Sequence, residues 1–111
     1  MVRGVRVIPE IDTPGHAASW ARAPKNSKIA CPFDDNSYKG PLDVTLHSTY
    51  EMVRDIFKEI FLLFPDPLVH LGGDEVSLAC LANVTEFVKL ENITPQQIEP
   101  HYRKKQKKIL K

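Results

Sequence analysis

Residues 68–75 read Leu68-Val69-His70-Leu71-Gly72-Gly73-Asp74-Glu75: a short apolar run, two glycines and two adjacent acids. The run has the length of a buried strand, and Pro65-Asp66-Pro67 and the glycine pair punctuate it on either side. Glycine takes positive φ freely and lets backbone pass close to a ligand. The acids are therefore expected at the C-terminal end of a strand, presented rather than packed. Two adjacent carboxylates raise one another's proton affinity, so one can hold a proton while the other stays ionised. That suits protonation of a leaving-group oxygen, although an Asp-Glu pair is also an ordinary solvated loop. His70, inside the apolar run, is expected to be a packed, hydrogen-bonded core residue.

Upstream of this strand, Ser48 and Glu51 have capping-box spacing. Met52, Val53, Ile56, Phe57, Ile60, Phe61 and Leu63 keep the three-to-four spacing of a one-faced helix running to about Phe64. Further back, Val5-Arg6-Val7-Ile8-Pro9-Glu10-Ile11 is rich in β-branched residues and reads as a strand. Pro9 is tolerable near a strand end but donates no ladder hydrogen bond. A long aperiodic stretch joins Asp12 to about Leu46, and loops of that length are usually functional. Helical stretches are expected again from about Val84, and from about Pro95 to the C-terminus with Pro100 interrupting the first turns.

The resulting order is strand, long loop, helix, short turn, strand, loop, helix. It predicts right-handed β-α units on a parallel sheet, an α/β fold. Long strand-to-helix loops and a helix-to-strand turn of about four residues place function beyond the C-terminal strand ends. Asp12-Thr13-Pro14-Gly15-His16 leaves the first strand at that end, so Asp12 and His16 are expected on the same rim as Asp74 and Glu75. A histidine four residues beyond an acid can serve as base, orienter or metal ligand, or be incidental to a turn. A metal site would draw on Asp12, His16, His70, Asp74 or Glu75. No His-Glu-x-x-His spacing supports it, and no metal or other cofactor is expected.

The chain has 111 residues, 42% apolar and 26% charged, the composition of an ordinary soluble globular domain. No apolar run approaches the roughly 18–20 residues of a membrane span. Its 15 basic and 14 acidic residues nearly balance. However, Arg103, Lys104, Lys105, Lys107, Lys108 and Lys111 crowd the end, leaving a body with 9 basic against 14 acidic residues. An acidic body argues against nucleic acid as a partner, and the basic tail reads as the solvated face of a terminal helix. No signal-peptide pattern follows Met1, so the chain reads as cytosolic or as lacking its natural start. Asn83-Val84-Thr85 and Asn92-Ile93-Thr94 are glycosylation sequons that favour the second option. Cys31 and Cys80, in a cytosolic protein, would be small buried apolar residues.

Three segments together resemble glycoside hydrolase family 20, the β-N-acetylhexosaminidases. Arg3–His16 looks like that family's third-strand segment, and His70-Leu71-Gly72-Gly73-Asp74-Glu75-Val76 like its His-x-Gly-Gly-Asp-Glu signature on the fourth strand. Gly40–Thr45 with Thr49-Tyr50, and Leu63-Phe64-Pro65-Asp66, resemble the connections between them. The likeness covers about residues 3–80, and the helical tail 81–111 matches loosely.

The resemblance implies that residues 1–111 are a fragment of a (β/α)8 catalytic barrel, about two β-α units, those of its third and fourth strands. It implies hydrolysis of terminal N-acetylglucosamine or N-acetylgalactosamine from glycans, by a substrate-assisted retaining route. Glu75 would be general acid and then base, Asp74 would orient the substrate's 2-acetamido group, and His16 would contact Glu75. Asp12 and Glu10 would line the rim. Cys31 and Cys80 would form a disulfide closing a loop of about 50 residues, worth roughly 4 kcal/mol, and the sequons would be used on a lysosomal or secreted protein. Family members form homo- or heterodimers.

The chain departs from the pattern at Cys80-Leu81, where many animal members have Cys-Trp. It also lacks the sugar-clamping Arg of the first strand and the pocket residues of later strands. Alone it is expected to be inactive or nearly so. The alternative is a truncated non-catalytic paralogue that binds a full-length subunit or a glycan.

Overall fold

A computed structural model of the chain describes residues 3–23, 28–31, 40–77, 81 and 84–111. Its elements in order are a 3-10 turn at Ala18–Arg22, α1 (His47–Leu63), α2 (Val84–Leu90), a 3-10 turn at Pro95–Gln97 and α3 (Ile98–Ile109).

The two expected strands lie side by side and parallel, but the ladder is one bridge long. Glu10 and His70 form an isolated parallel bridge. Ile11 donates to the His70 carbonyl at 3.0 Å and His70 to the Pro9 carbonyl at 2.9 Å. Among the described residues neither segment is a strand. The reason is local: Pro9 has no N–H to extend the ladder one way, and Gly72 at φ +62 turns the chain away the other. Before the bridge, Arg6 grips Asp66 through both nitrogens of its fork, Nη2 lying 2.9 Å from Oδ1. That pair keeps the two segments in step. His70 is not in the core as expected; its side chain is 65% exposed. The bridge places its side chain on the open side of the pair, where Nδ1 lies 3.2 Å from both the Gly72 amide and Glu10 Oε2.

α1 forms where its periodicity predicts, but Ser48 does not cap it. The N-cap position is Leu46, without a side-chain bond, and Ser48 sits inside the first turn. Asp43 organises the entry instead. Its Oδ1 accepts the Thr45 amide at 2.9 Å and the Thr45 hydroxyl at 2.6 Å, and its carbonyl accepts the Thr49 hydroxyl at 2.7 Å. This side-chain turn sets the chain direction before a serine cap could act. α2 ends in a Schellman motif. Asn92 stands at φ +52, with Ile93 donating to Val88 at 3.0 Å and Asn92 to Lys89 at 3.4 Å. α3 is not interrupted by Pro100, which occupies the first turn, where no intrahelical N–H is required.

Two buried clusters share Ile109 at their margins. Ala17, Ile29, Leu42, Val53 and Phe57 pack under the two acid-bearing loops, with Ile11, Val69 and Leu71 against them. Cys31, Val44, Tyr50, Leu81, Phe87, Ile98 and Tyr102 join α1, α2 and α3. Only the last turn of α1 is left bare, Leu62 being 87% and Leu63 74% exposed. Val5, Val7 and Leu68 are likewise exposed.

One buried polar contact ties the fold to the site. Thr13 is fully buried, and its hydroxyl oxygen accepts from Tyr102 Oη and Gln106 Nε2, each at 2.9 Å. Replacing Thr13 with the isosteric valine strands two buried donors, whereas Tyr102→Phe removes one partner and leaves the other bond intact. Thr13→Val is therefore expected to cost about 2–4 kcal/mol in urea unfolding and Tyr102→Phe about 0.5–1.5 kcal/mol. The reverse order would show that Thr13 is not the shared acceptor.

Candidate active site

The site is built from two loops that leave the paired segments on the same side. The first carries Asp12, Thr13, Pro14, Gly15 and His16, with a cis peptide bond between Thr13 and Pro14. The second carries Gly72, Gly73, Asp74 and Glu75. Gly73 stands at φ +112, outside the comfortable range of any side-chain-bearing residue. Its amide donates to Asp12 Oδ1 at 2.6 Å, which fastens the loops together. Gly15 allows the same approach from the other loop: a Cβ there would lie 3.2 Å from the Asp74 carbonyl.

A chain of polar contacts crosses the gap. Asp12 Oδ2 lies 2.6 Å from His16 Nδ1, and His16 Nε2 lies 3.2 Å from Glu75 Oε2. Asp74 Oδ1 stands 3.8 Å from His16 Nδ1. His16 and Glu75, which meet across the gap, both sit on left-handed backbone, at φ +52 and +51. Such conformations cost roughly 1–3 kcal/mol each and cluster at functional sites. Nothing in the sequence marks these two residues for positive φ.

The electrostatics follow from the contacts. Burial pushes the Asp12 carboxyl up, but its bonds to the His16 ring and the Gly73 amide outweigh this and hold it below the usual carboxylate range. The bond to Asp12 raises His16 above the ordinary imidazole value against the opposing effect of burial, and Glu75 adds to the rise. His16 thus bridges two carboxyl groups, and both contacts favour its protonated form. Asp12 is 18% exposed, while Asp74 and Glu75 are 74% and 79% exposed, so the anchor is covered and the acids stand open.

Four of the expected site residues, Asp12, His16, Asp74 and Glu75, are brought together. Glu10 is not; it pairs with His70 at 3.2 Å on the neighbouring face. Cys80 and Asn83 lie outside the described residues. Cys31 is buried, in the cluster that also holds Leu81. Asn92 is exposed at the turn after α2. Asp12, His16 and Asp74 bring ligand-type atoms within 4.8 Å of one another. A cation there would have to break the short Asp12–His16 hydrogen bond, so these atoms fit one another better than a metal.

Sequence reasoning did not anticipate the part played by α3. Tyr102 and Gln106 hold Thr13, and Arg103 Nη1 donates to the Leu71 carbonyl at 3.1 Å. The available signal was positional: residues 98, 102, 106 and 109 share one helical face, and Gln106 is a polar residue inside it. Lys104, Lys107, Lys108 and Lys111 are exposed as expected, but Arg103 and Lys105 turn inward.

Residues 1–111 match the description "Glycosyl hydrolase family 20, catalytic domain". The chain is 41% identical to mouse beta-hexosaminidase subunit beta, over 94% of this chain and 21% of that protein. It is 38% identical to the human subunit beta and to the mouse subunit alpha, over 20% of each. Among solved structures it resembles a family 20 exo-beta-N-acetylglucosaminidase from Vibrio harveyi in complex with N-acetylglucosamine, with a TM-score of 0.64 at 24% identity. That likeness covers 98% of this chain and 19% of the other and concerns the fold. The match and the fold likeness together define a segment of a glycosyl hydrolase catalytic domain. The chain belongs to glycosyl hydrolase family 20, and it spans about a fifth of the length of the curated relatives it matches.

The raised imidazole and lowered carboxyl give the loop contact a pH window. A His whose folded value is raised adds stability that is complete below its unfolded value and lost as pH rises through the folded one. A depressed Asp adds stability present above its unfolded value and lost as pH falls through the folded one. The Asp12–His16 contact is therefore expected to be strongest between about pH 4 and 6.5. In an NMR titration, Asp12→Asn should return His16 further toward its ordinary midpoint than Glu75→Gln does. An equal or opposite order would mean that Asp12 is not its main partner.

Proposed function

We propose that these residues form the acid-base centre of a β-N-acetylhexosaminidase. Such an enzyme removes terminal, non-reducing N-acetylglucosamine or N-acetylgalactosamine from glycans. The observation that carries the proposal is the Asp12–His16–Glu75 chain, with His16 Nε2 3.2 Å from Glu75 Oε2. Glu75 gives its proton to the glycosidic oxygen as the bond to the anomeric carbon breaks. The carboxylate left behind is stabilised by the His16 cation, itself held by Asp12. Glu75 then takes a proton from the water that attacks the same carbon and displaces from it the 2-acetamido oxygen bound there in the first step.

Asp74 orients the substrate's 2-acetamido group, whose oxygen is the nucleophile in the first step. This is the substrate-assisted exception to the two-carboxylate scheme. Adjacent acids suit it, because one serves the leaving group and the other the acetamide. No metal or organic cofactor is required by this route.

The architecture is read as two β-α units of a (β/α)8 barrel, those of its third and fourth strands. The parallel Glu10–His70 bridge, with α1 between the paired segments, supports this. So do the apolar side chains left bare at Val5, Val7, Leu62, Leu63 and Leu68, where further barrel elements would pack.

A lysosomal or extracellular setting is supported by the acidic window of the Asp12–His16 contact and by the exposed sequon at Asn92. A Cys31–Cys80 disulfide is supported by Cys31 lying in the cluster that holds Leu81, the neighbour of Cys80. Intact-mass measurement without reductant should show the loss of two thiol hydrogens, and a full-mass dithiol would remove the disulfide. Homo- or heterodimerisation is carried over from the family as a proposal.

The open acids point to a chain that turns over little by itself. With a chromogenic N-acetylglucosaminide the 111-residue chain is expected to remain at background. Placed in the matching segment of mouse beta-hexosaminidase subunit beta, it should support turnover that Glu75→Gln lowers by about 10²–10⁴. Turnover of that chimera indifferent to Glu75→Gln would remove the assigned role. The alternative, a non-catalytic chain that binds a full-length subunit or a glycan, is favoured by the bare apolar surface alone. Capture of a full-length hexosaminidase without any activity in the chimera would support it.

A further inference from the structure

We propose that Arg103, on the basic terminal helix, is a positioning residue for the acid pair, holding the Gly72–Glu75 turn from behind in register with His16. Its side chain is 17% exposed, and the guanidinium lies against the turn at Gly73. Nη1 donates to the Leu71 carbonyl at 3.1 Å, the last carbonyl before the glycines. The rest of the fork is held by its own helix. Nε reaches Glu99 Oε1 at 3.1 Å and Nη1 also reaches Gln106 Oε1 at 2.9 Å. Nη2 is buried with no hydrogen-bond partner among the described residues, and it lies against Gly73, where any Cβ would collide with it.

The fit is reciprocal. Gly73 must lack a side chain for the guanidinium to lie there, and the guanidinium leaves the turn no room to fall back. Gly73 is also the residue whose amide holds Asp12 Oδ1 at 2.6 Å. One cation thus touches the peptide that joins the two loops, without touching any acid that would meet substrate. Neighbouring Tyr102 and Gln106 hold the other loop through Thr13. Three residues within little more than one turn of α3 therefore set both loops relative to each other. A planar, always-charged fork suits this place better than lysine, which offers a point charge and no flat face.

The inference rests on the reading of His16 and Glu75 as partners, so its test separates the two. Gly73 amide exchange and the His16 titration are followed by NMR in the 111-residue chain. His16 faces Asp12, Asp74 and Glu75. In Arg103→Met, Gly73 is expected to exchange at least about tenfold faster while amides of α1 keep their protection. The His16 midpoint should fall as Glu75 moves away. Lys104→Met, on the exposed face, should change neither.

Wild-type exchange at Gly73 in a folded Arg103→Met chain would overturn the proposal. So would a uniform rise across α1 and Gly73, which reports global unfolding. If Arg103→Met does not fold, Arg103→Lys is read by the same two measures, with a smaller effect in the same direction expected and none overturning. A His16 midpoint that ignores Glu75→Gln would defeat the catalytic reading, and the Gly73 result would stand apart from it.

Discussion

The Gly73 amide on Asp12 Oδ1 is the contact on which the site depends. It joins loops that are about 60 residues apart in sequence, and it does so with a charge-assisted bond at an anchor largely covered from water. The arrangement of the candidate site follows from where it leaves the chain. Asp12 spends one oxygen on Gly73 and the other on His16, so the imidazole is aimed rather than free. His16 then reaches Glu75 with its second nitrogen. The two residues on left-handed backbone lie on either side of this bond, where a structure over-determined by its surroundings can hold strain.

The terminal helix supplies those surroundings. Its buried face carries Ile98, Tyr102 and Gln106, and beside them Arg103 turns under the glycine pair. Lys105 is also drawn inward, to Glu91 at the end of α2 and over the Tyr50 and Phe87 rings. The cluster of positive charge at the end of the sequence is therefore two things. Its outer lysines are solvated, while Arg103 and Lys105 are structural groups whose charge is matched by Glu99 and Glu91. Charge counting along the chain cannot separate these, because burial is decided by the helical face and by what packs on it.

Periodicity was enough to find α1 to within a residue or so, since its apolar spacing is dictated by the helix itself. The acid-bearing turn was legible too. Gly72-Gly73-Asp74-Glu75 has a backbone requirement that only glycine meets, and both glycines take positive φ. The strands were legible as direction and order but not as ladders, because Pro9 and Gly72 cut the pairing short. Ser48 misled because a good cap loses to a stronger competitor just upstream, the Asp43 turn. His70 misled because an apolar neighbourhood in sequence says nothing about which side of a pleat stays open.

Residue order alone indicated the family signature, the parallel direction of the two paired segments and the convergence of Asp12, His16, Asp74 and Glu75. Those are properties of local backbone preference and spacing, which the chain carries wherever it folds. Tertiary structure decided which of these groups touch. It chose Asp12 rather than an acid of the exposed pair as the main partner of His16, sent Glu10 to His70, and made Arg103 a support under the glycines. The physical reason is that hydrogen bonds at 2.6–3.2 Å depend on the relative position of segments distant in sequence. That position is set by packing against α3, far from the acids it serves.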